Sequence, residues 1–285
     1  MIRLDAATVL VQWATGGLLF LWVTTRRRQV GIGYGWLLRA TYLVMALGSL
    51  AVAGIVGPVP VRDVFAALMA AAAGGALVLS VVRRRAGVAG ERARRRRRTA
   101  RVAAMTGIER EAPGPDASVP EFPPAADLVA PLLGVVACVA GGLDAGGPAA
   151  LAVVRTLVGA AFLGAVTDAM LLGHWYLVQP GLGRQPLVEL NRWLAVVWPV
   201  EVGALLWPTG MLSVLTGSID DGWGGVLGWF WATCAVTTLV LTFVTRAALK
   251  ERAYSAVMAA TGLLYLAILT AFGTDLVARA VLAPG

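Results

Sequence analysis

About eight apolar stretches of roughly twenty residues run through this chain of 285 residues, separated by short polar segments. Each is long enough to cross a hydrocarbon core of about 30 Å as an α-helix rising about 1.5 Å per residue. In a bilayer only helices and closed barrels satisfy their own backbone hydrogen bonds, and continuous apolar runs of this length do not suit the alternating strands of a barrel. The expected fold class is all-α, a polytopic transmembrane helix bundle. Charged residues make up 14% of the chain, against roughly 25% in soluble domains, which leaves little material for a soluble domain.

Hydropathy places spans over residues 6–24, 35–55, 64–82, 128–142, 149–176, 193–215, 224–245 and 254–277. Residues 1–82 therefore hold three helices, 83–124 an Arg-rich and then Pro-rich loop, and 125–285 five helices. Lys and Arg concentrate in cytoplasmic loops. Arg26, Arg27 and Arg28 follow the first span, the long loop the third, Arg184 and Arg192 the fifth, and Arg246, Lys250 and Arg252 the seventh. These four connections share one side, so both termini are expected to be extracytoplasmic. The opposite connections carry Asp144, Asp220 and Asp221.

The first apolar run is preceded by Arg3 and Asp5 and leads into positive charge, which reads as a retained helix and not a cleaved leader. Arginine outnumbers the single lysine, Lys250, in a chain rich in Ala, Gly and Val. That bias suits a GC-rich bacterial source and localisation to the bacterial cytoplasmic membrane. Cys138 and Cys234 both fall within apolar stretches and read as small buried residues, not as a disulfide.

In the long loop, Arg83, Arg84, Arg85, Arg94, Arg95, Arg96, Arg97 and Arg98 form a cluster next to a helix end. Such clusters are drawn to anionic lipid headgroups by about 1 kcal/mol per residue. Nucleic-acid binding would need interleaved aromatics or a recognisable module, and the loop has neither. Elsewhere, small residues at Gly16-Gly17, at 70–75 and at Gly159-Ala160-Ala161 allow close helix approach, either inside the bundle or against another subunit. A faint likeness between 14–45 and 161–198 suits two parallel four-helix repeats.

The chemistry-bearing residues are few. His174 is the only histidine, in a segment where Trp175 and Tyr176 read as interface anchors ahead of a Pro180-Gly181 stop. A haem with two histidine ligands is thereby excluded within one chain, and only a His-Met pair or a quinone contact at His174 remains. No cofactor, metal site or catalytic residue is expected.

Carboxylates inside a span are more telling, because a mid-helix charge costs roughly 2.5 to 3.5 kcal/mol on insertion scales. Asp168 lies about 12 Å from the Arg-rich end of the fifth span, and Glu201 about 12 to 15 Å into the sixth. An antiparallel pair would bring them to similar depth. They would either share a proton or be neutralised separately, for example by Arg39. With His174, Asn191 and Arg192 at the mouth, the expected polar cluster is Arg39, Asp168, His174, Asn191, Arg192 and Glu201. Asp275 and Arg279, spaced i, i+4, are expected to pair at the outer interface. Arg155 is expected to snorkel there, and Trp207-Pro208 to kink the sixth span and free a carbonyl.

The segment Gly173-His174-Trp175-Tyr176-Leu177, with Pro180 and Leu182, resembles multi-pass bacterial membrane proteins of unassigned function. The stretches Trp13 to Gly17, Thr24 to Arg28 and Gly33 to Trp36 are similar to actinobacterial members of such a group. The resemblance implies a membrane protein and no activity. Three functional readings follow from the residues. The first is a non-catalytic accessory or anchoring component of a membrane complex, plausibly respiratory, with lipid and other membrane subunits as partners. The second is a proton-coupled small-solute transporter using Asp168 and Glu201, and the third a quinone-reactive subunit using His174.

Overall fold

A computed structural model describes residues 5–83, 100, 122–179, 182–208, 210–251 and 253–283. Among the described residues the structure is helical throughout, with no strand. The helices are α1 (Ala6–Thr25), α2 (Ile32–Val56), α3 (Pro60–Val82), a 3-10 turn (Pro124–Leu128) running into α4 (Val129–Asp144), α5 (Ala149–Val178), α6 (Gln185–Leu206), the short α7 (Met211–Leu215), α8 (Val226–Ala248) and α9 (Tyr254–Val281). Of the loop arginines expected to meet lipid headgroups, only Arg83 is described, as the exposed residue closing α3. Residues 84–98 lie outside the described residues.

Local chemistry sets several ends. The Asp5 carboxylate accepts from the backbone N–H groups of Ala7 (3.2 Å) and Thr8 (3.1 Å), capping α1. Pro60 opens α3, where its missing N–H costs nothing. α2 ends at Gly57, whose φ of 151° favours glycine.

Among the described residues seven helices are long and apolar enough to cross a membrane: α1, α2, α3, the 3-10 turn with α4, α5, α8 and α9. The sixth expected span differs from its sequence reading at both ends. It begins at Gln185, because the polar residues Glu189, Asn191 and Arg192 are helical too, behind Pro186 in the first turn. It stops at Leu206, because Trp207 precedes Pro208 and is driven to extended backbone (φ −132°, ψ 152°). The expected kink is therefore a break, with α7 beyond it.

The helices close into two rings. In the first, α1 packs on α2, α2 on α3, α3 on α4, and α4 back on α1; in the second, α5 packs on α6, α6 on α8, α8 on α9, and α9 back on α5. The two halves thus share one order of neighbours, and the rings join where α5 packs on α1 and α4. At the α1–α5 crossing a Cβ on Gly16 would lie 1.7 Å from the Ala160 carbonyl oxygen, and one on Gly164 2.2 Å from the Gly16 backbone. Only glycine permits this approach, through which tightly packed backbones gain dispersion energy.

Contacts between helix ends mark the two faces of the bundle. Arg26 and Arg27 at the end of α1 pair with Glu189 near the start of α6 (2.5 and 3.2 Å). Arg184 donates to the carbonyls of Leu249 (3.3 Å) and Ala253 (2.8 Å) beyond α8. This is the basic end. At the opposite end Arg62 of α3 binds Asp5 and Asp63, the latter at 2.8 Å.

Candidate functional site in the buried polar centres

The six residues expected to form one cluster are distributed over several places. Asp168 of α5 is fully buried. Its Oδ1 accepts from the Tyr42 hydroxyl, and its backbone carbonyl accepts from the Tyr34 hydroxyl (3.2 Å). Tyr34 and Tyr42 stand eight positions apart on α2, about two turns, and so share a face. The slot for Tyr42 is made by Gly17 of α1, where an added Cβ would lie 1.9 Å from the phenol ring. Oδ2 of Asp168 is buried with no hydrogen-bond partner among the described residues.

Arg39 does not serve Asp168. Its guanidinium forms a two-pronged pair with Asp127 in the 3-10 turn, Nε to Oδ1 and Nη2 to Oδ2, both 2.7 Å. Thr25 adds a hydrogen bond to Asp127 at 3.2 Å, and the Phe122 ring lies 4.6 Å under the cation. Both members of the pair are buried, at 2% and 3% exposure. Asp127 escaped the sequence reading. The one available signal was that an arginine inside an apolar span needs a carboxylate, and Asp127 stands at the start of a span on the same side.

Glu201 forms a second centre, apart from Asp168. Because α6 starts at Gln185, Glu201 lies sixteen residues or about 24 Å from the basic end, whereas Asp168 lies ten residues or about 15 Å from the end of α5. No hydrogen bond joins the two carboxyl groups. Glu201 is fully buried, with neither oxygen hydrogen-bonded among the described residues. The charges acting on it are Asp275, Arg279 and Arg155.

Arg155 does not reach the interface as expected. It is fully buried, and its Nε donates to the Ala204 carbonyl at 2.8 Å. That carbonyl is the one Pro208, lacking an N–H, cannot bond four residues on. The helix break therefore supplies the acceptor that draws Arg155 inward. Asp275 and Arg279 pair at 2.7 Å as their spacing predicts, but inside the bundle and not at its surface, since both are fully buried. Gln12 of α1 explains this. It donates to Asp275 at 3.4 Å and accepts from Arg279, so α1 closes the network and excludes the interface.

The remaining residues stand elsewhere. His174 is exposed, with Nδ1 3.2 Å from the Tyr265 hydroxyl. Of the expected anchors, Trp175 is half-buried against Tyr34 with its indole N–H on Gln179 (3.1 Å), and Tyr176 is buried with its hydroxyl on the Gly183 carbonyl (2.6 Å). Tyr176 therefore pins the α5–α6 connection instead of facing headgroups. Asn191 donates to the Thr242 carbonyl at 3.1 Å, and Arg192 is exposed. Cys138 and Cys234 are free thiols. Among the described residues no three of His, Cys, Asp and Glu come together as metal ligands would.

The class so defined is an all-helical multi-pass membrane bundle with buried polar centres. Comparison of the chain with protein-family models, curated protein sequences and solved structures gave no match.

Proposed function

We propose that the chain is an eight-span protein of a bacterial cytoplasmic membrane, with both termini outside, that serves as a non-catalytic accessory or anchoring component of a larger membrane assembly. A respiratory complex is the first kind to test. α6 counts as the eighth span: its 22 residues cover about 33 Å and pack between α5 and α8. The observation that carries the assembly reading is on α3. Ala67, Ala71 and Gly75 form a small-residue stripe that faces outward, and a Cβ on Gly75 would meet nothing within 4 Å. Gly54 on the neighbouring α2 is equally open. Glycine in an exposed helix costs about 1 kcal/mol relative to alanine, and in lipid it is offset where another helix packs closely.

The test is purification of the tagged full chain from its native membrane in mild detergent, with mass spectrometry and an absorption spectrum on one sample. Stoichiometric membrane subunits are expected, and they should be lost from Gly75→Leu. Recovery of the chain alone from both forms rejects the assembly reading.

A second reading, proton-coupled transport of a small solute, is favoured by the unpartnered carboxyl oxygens of Asp168 and Glu201. Its expectation is pH-gradient-driven uptake in liposomes that Asp168→Asn abolishes. Uptake unaffected by that substitution removes it.

A further inference from the structure

Between α6 and α8, at the basic end, lies a groove of about 610 Å³ open to the outside of the bundle. Two rows of side chains line it at helical spacing. On α6 the row is Val188, Arg192 and Val196; on α8 it is Thr242 and Arg246, with Lys250 lining the groove from the turn just beyond the helix end. Residues four apart lie on one helix face, so Arg192 shares a face with Val188 and Val196, and Arg246 with Thr242. Ala195 and Phe243 extend the apolar floor toward the middle of the bundle. Arg192, Arg246 and Lys250 are exposed, and among the described residues none of them is in an ion pair. The nearest acid on α6, Glu189, is taken by Arg26 and Arg27.

One further polar residue stands in the wall of this space. Asn191 lines the groove, is 3% exposed, and spends its amide N–H on the Thr242 carbonyl. Its Oδ1 is buried and has no donor among the described residues. A buried acceptor left without a donor costs about 1–3 kcal/mol, so the groove combines three cations and an apolar trough with a wall residue whose buried acceptor lacks a hydroxyl or amine.

We infer that this groove is a binding site for one anionic glycerophospholipid of the phosphatidylglycerol type, its phosphate held by Arg192, Arg246 and Lys250, a headgroup hydroxyl donating to Asn191 Oδ1, and an acyl chain lying along Val196, Ala195 and Phe243. The chemistry selects against the alternatives. Phosphatidylcholine brings a quaternary ammonium to three cations and has no headgroup donor. Phosphatidic acid offers phosphate without the glycerol hydroxyls. A soluble phosphate would leave the apolar trough bare. Basic pockets between transmembrane helices bind lipid headgroups by the same combination. The inference rests on the membrane reading above but not on the orientation of the chain or on its partners.

The test is native mass spectrometry of the full chain, purified in a detergent that strips bulk lipid and then titrated with dioleoyl phosphatidylglycerol or dioleoyl phosphatidylcholine. One tightly held phosphatidylglycerol is expected, with about tenfold or greater preference over phosphatidylcholine. Arg192→Gln, Arg246→Gln and Lys250→Gln together should remove that preference. Val196→Trp fills the trough without touching a charge and should weaken retention similarly, so the result does not depend on the triple variant folding. Asn191→Leu should bind phosphatidylglycerol and phosphatidic acid alike. Equal retention of the two dioleoyl lipids by the wild type, or an unchanged preference in both the triple variant and Val196→Trp, overturns the assignment. Either failure leaves the helix count and the pull-down result untouched.

Discussion

The two rings of the bundle treat buried charge differently. In the first, each buried arginine among the described residues has a carboxylate within the ring: Arg39 has Asp127, and Arg62 has Asp5 and Asp63. In the second, carboxyl oxygens are left over, one on Asp168 and both on Glu201. A paired buried ion is a brace whose loss of one partner strands the other in low dielectric. A buried carboxyl oxygen without a hydrogen bond braces nothing, and in a membrane buried carboxyl groups mark functional positions by default. The difference separates structural charge from charge available for chemistry, and it can be broken by substitution.

The largest effect is expected at the Arg39–Asp127 pair. Asp127→Leu leaves a buried guanidinium unpaired and should cost about 3–5 kcal/mol in unfolding from detergent micelles. Arg39→Leu combined with Asp127→Leu should recover most of that loss, because a buried pair replaced by apolar groups is often neutral. If the double variant is as unstable as the single, the pair contributes more than mutual neutralisation.

Next in size is Tyr42→Phe. It removes the phenol from Asp168 Oδ1 and leaves that carboxyl group with no side-chain hydrogen bond. A loss of about 1–3 kcal/mol is expected. Tyr34→Phe removes only a 3.2 Å bond to a backbone carbonyl, and should cost about 1 kcal/mol. Equal losses would mean that ring packing, not the carboxyl group, sets the value of these tyrosines.

How far the sequence exposed this arrangement depended on the range of each interaction. The helical, membrane-spanning class was legible, because span length is a local property of the chain. The Asp275–Arg279 pair was legible from its i, i+4 spacing. Its burial was not, since that depends on Gln12, more than 260 positions away on α1. Gln12 carries no charge and sits in an apolar run, so nothing local singled it out. Asp127 was missed for a related reason: its partner lies across the long loop. The depth of Glu201 was misread because hydropathy marks where a helix turns apolar, not where it starts. The eight polar-rich residues from Gln185 to Arg192 shifted the register by about 12 Å.

A smaller effect is expected in the connection before α8, outside the spans. The Asp221 carboxylate accepts from the N–H groups of Trp223 and Gly225 (2.9 and 2.8 Å) and of Leu227 and Gly228 (2.9 and 3.3 Å). These bonds, that from Gly225 first, hold its pKa below the ordinary carboxylate range. A carboxyl group with a lowered folded pKa stabilises fully above its unfolded value of about 4, and the contribution is lost as pH falls through the folded value. Wild type should therefore lose stability relative to Asp221→Asn on acidification below about pH 4. Parallel pH profiles for the two proteins would place the cap's contribution elsewhere.

The smallest effect is expected at Glu201, and it is the sharpest test of the comparison. Glu201→Gln keeps the shape of the side chain and removes no hydrogen bond to the described residues, so unfolding should shift by about 1 kcal/mol or less. Asp275→Asn, two helices away in the same network, removes the carboxylate charge facing Arg279 and should cost several times more. The contrast holds only if Arg155 and Arg279 keep their other hydrogen bonds without Glu201, to the Ala204 carbonyl for the first and to Asp275 and Gln12 for the second. A Glu201→Gln loss as large as that of Asp275→Asn would make Glu201 a third brace, and Asp168 would then be the only carboxyl group of the second ring left for chemistry.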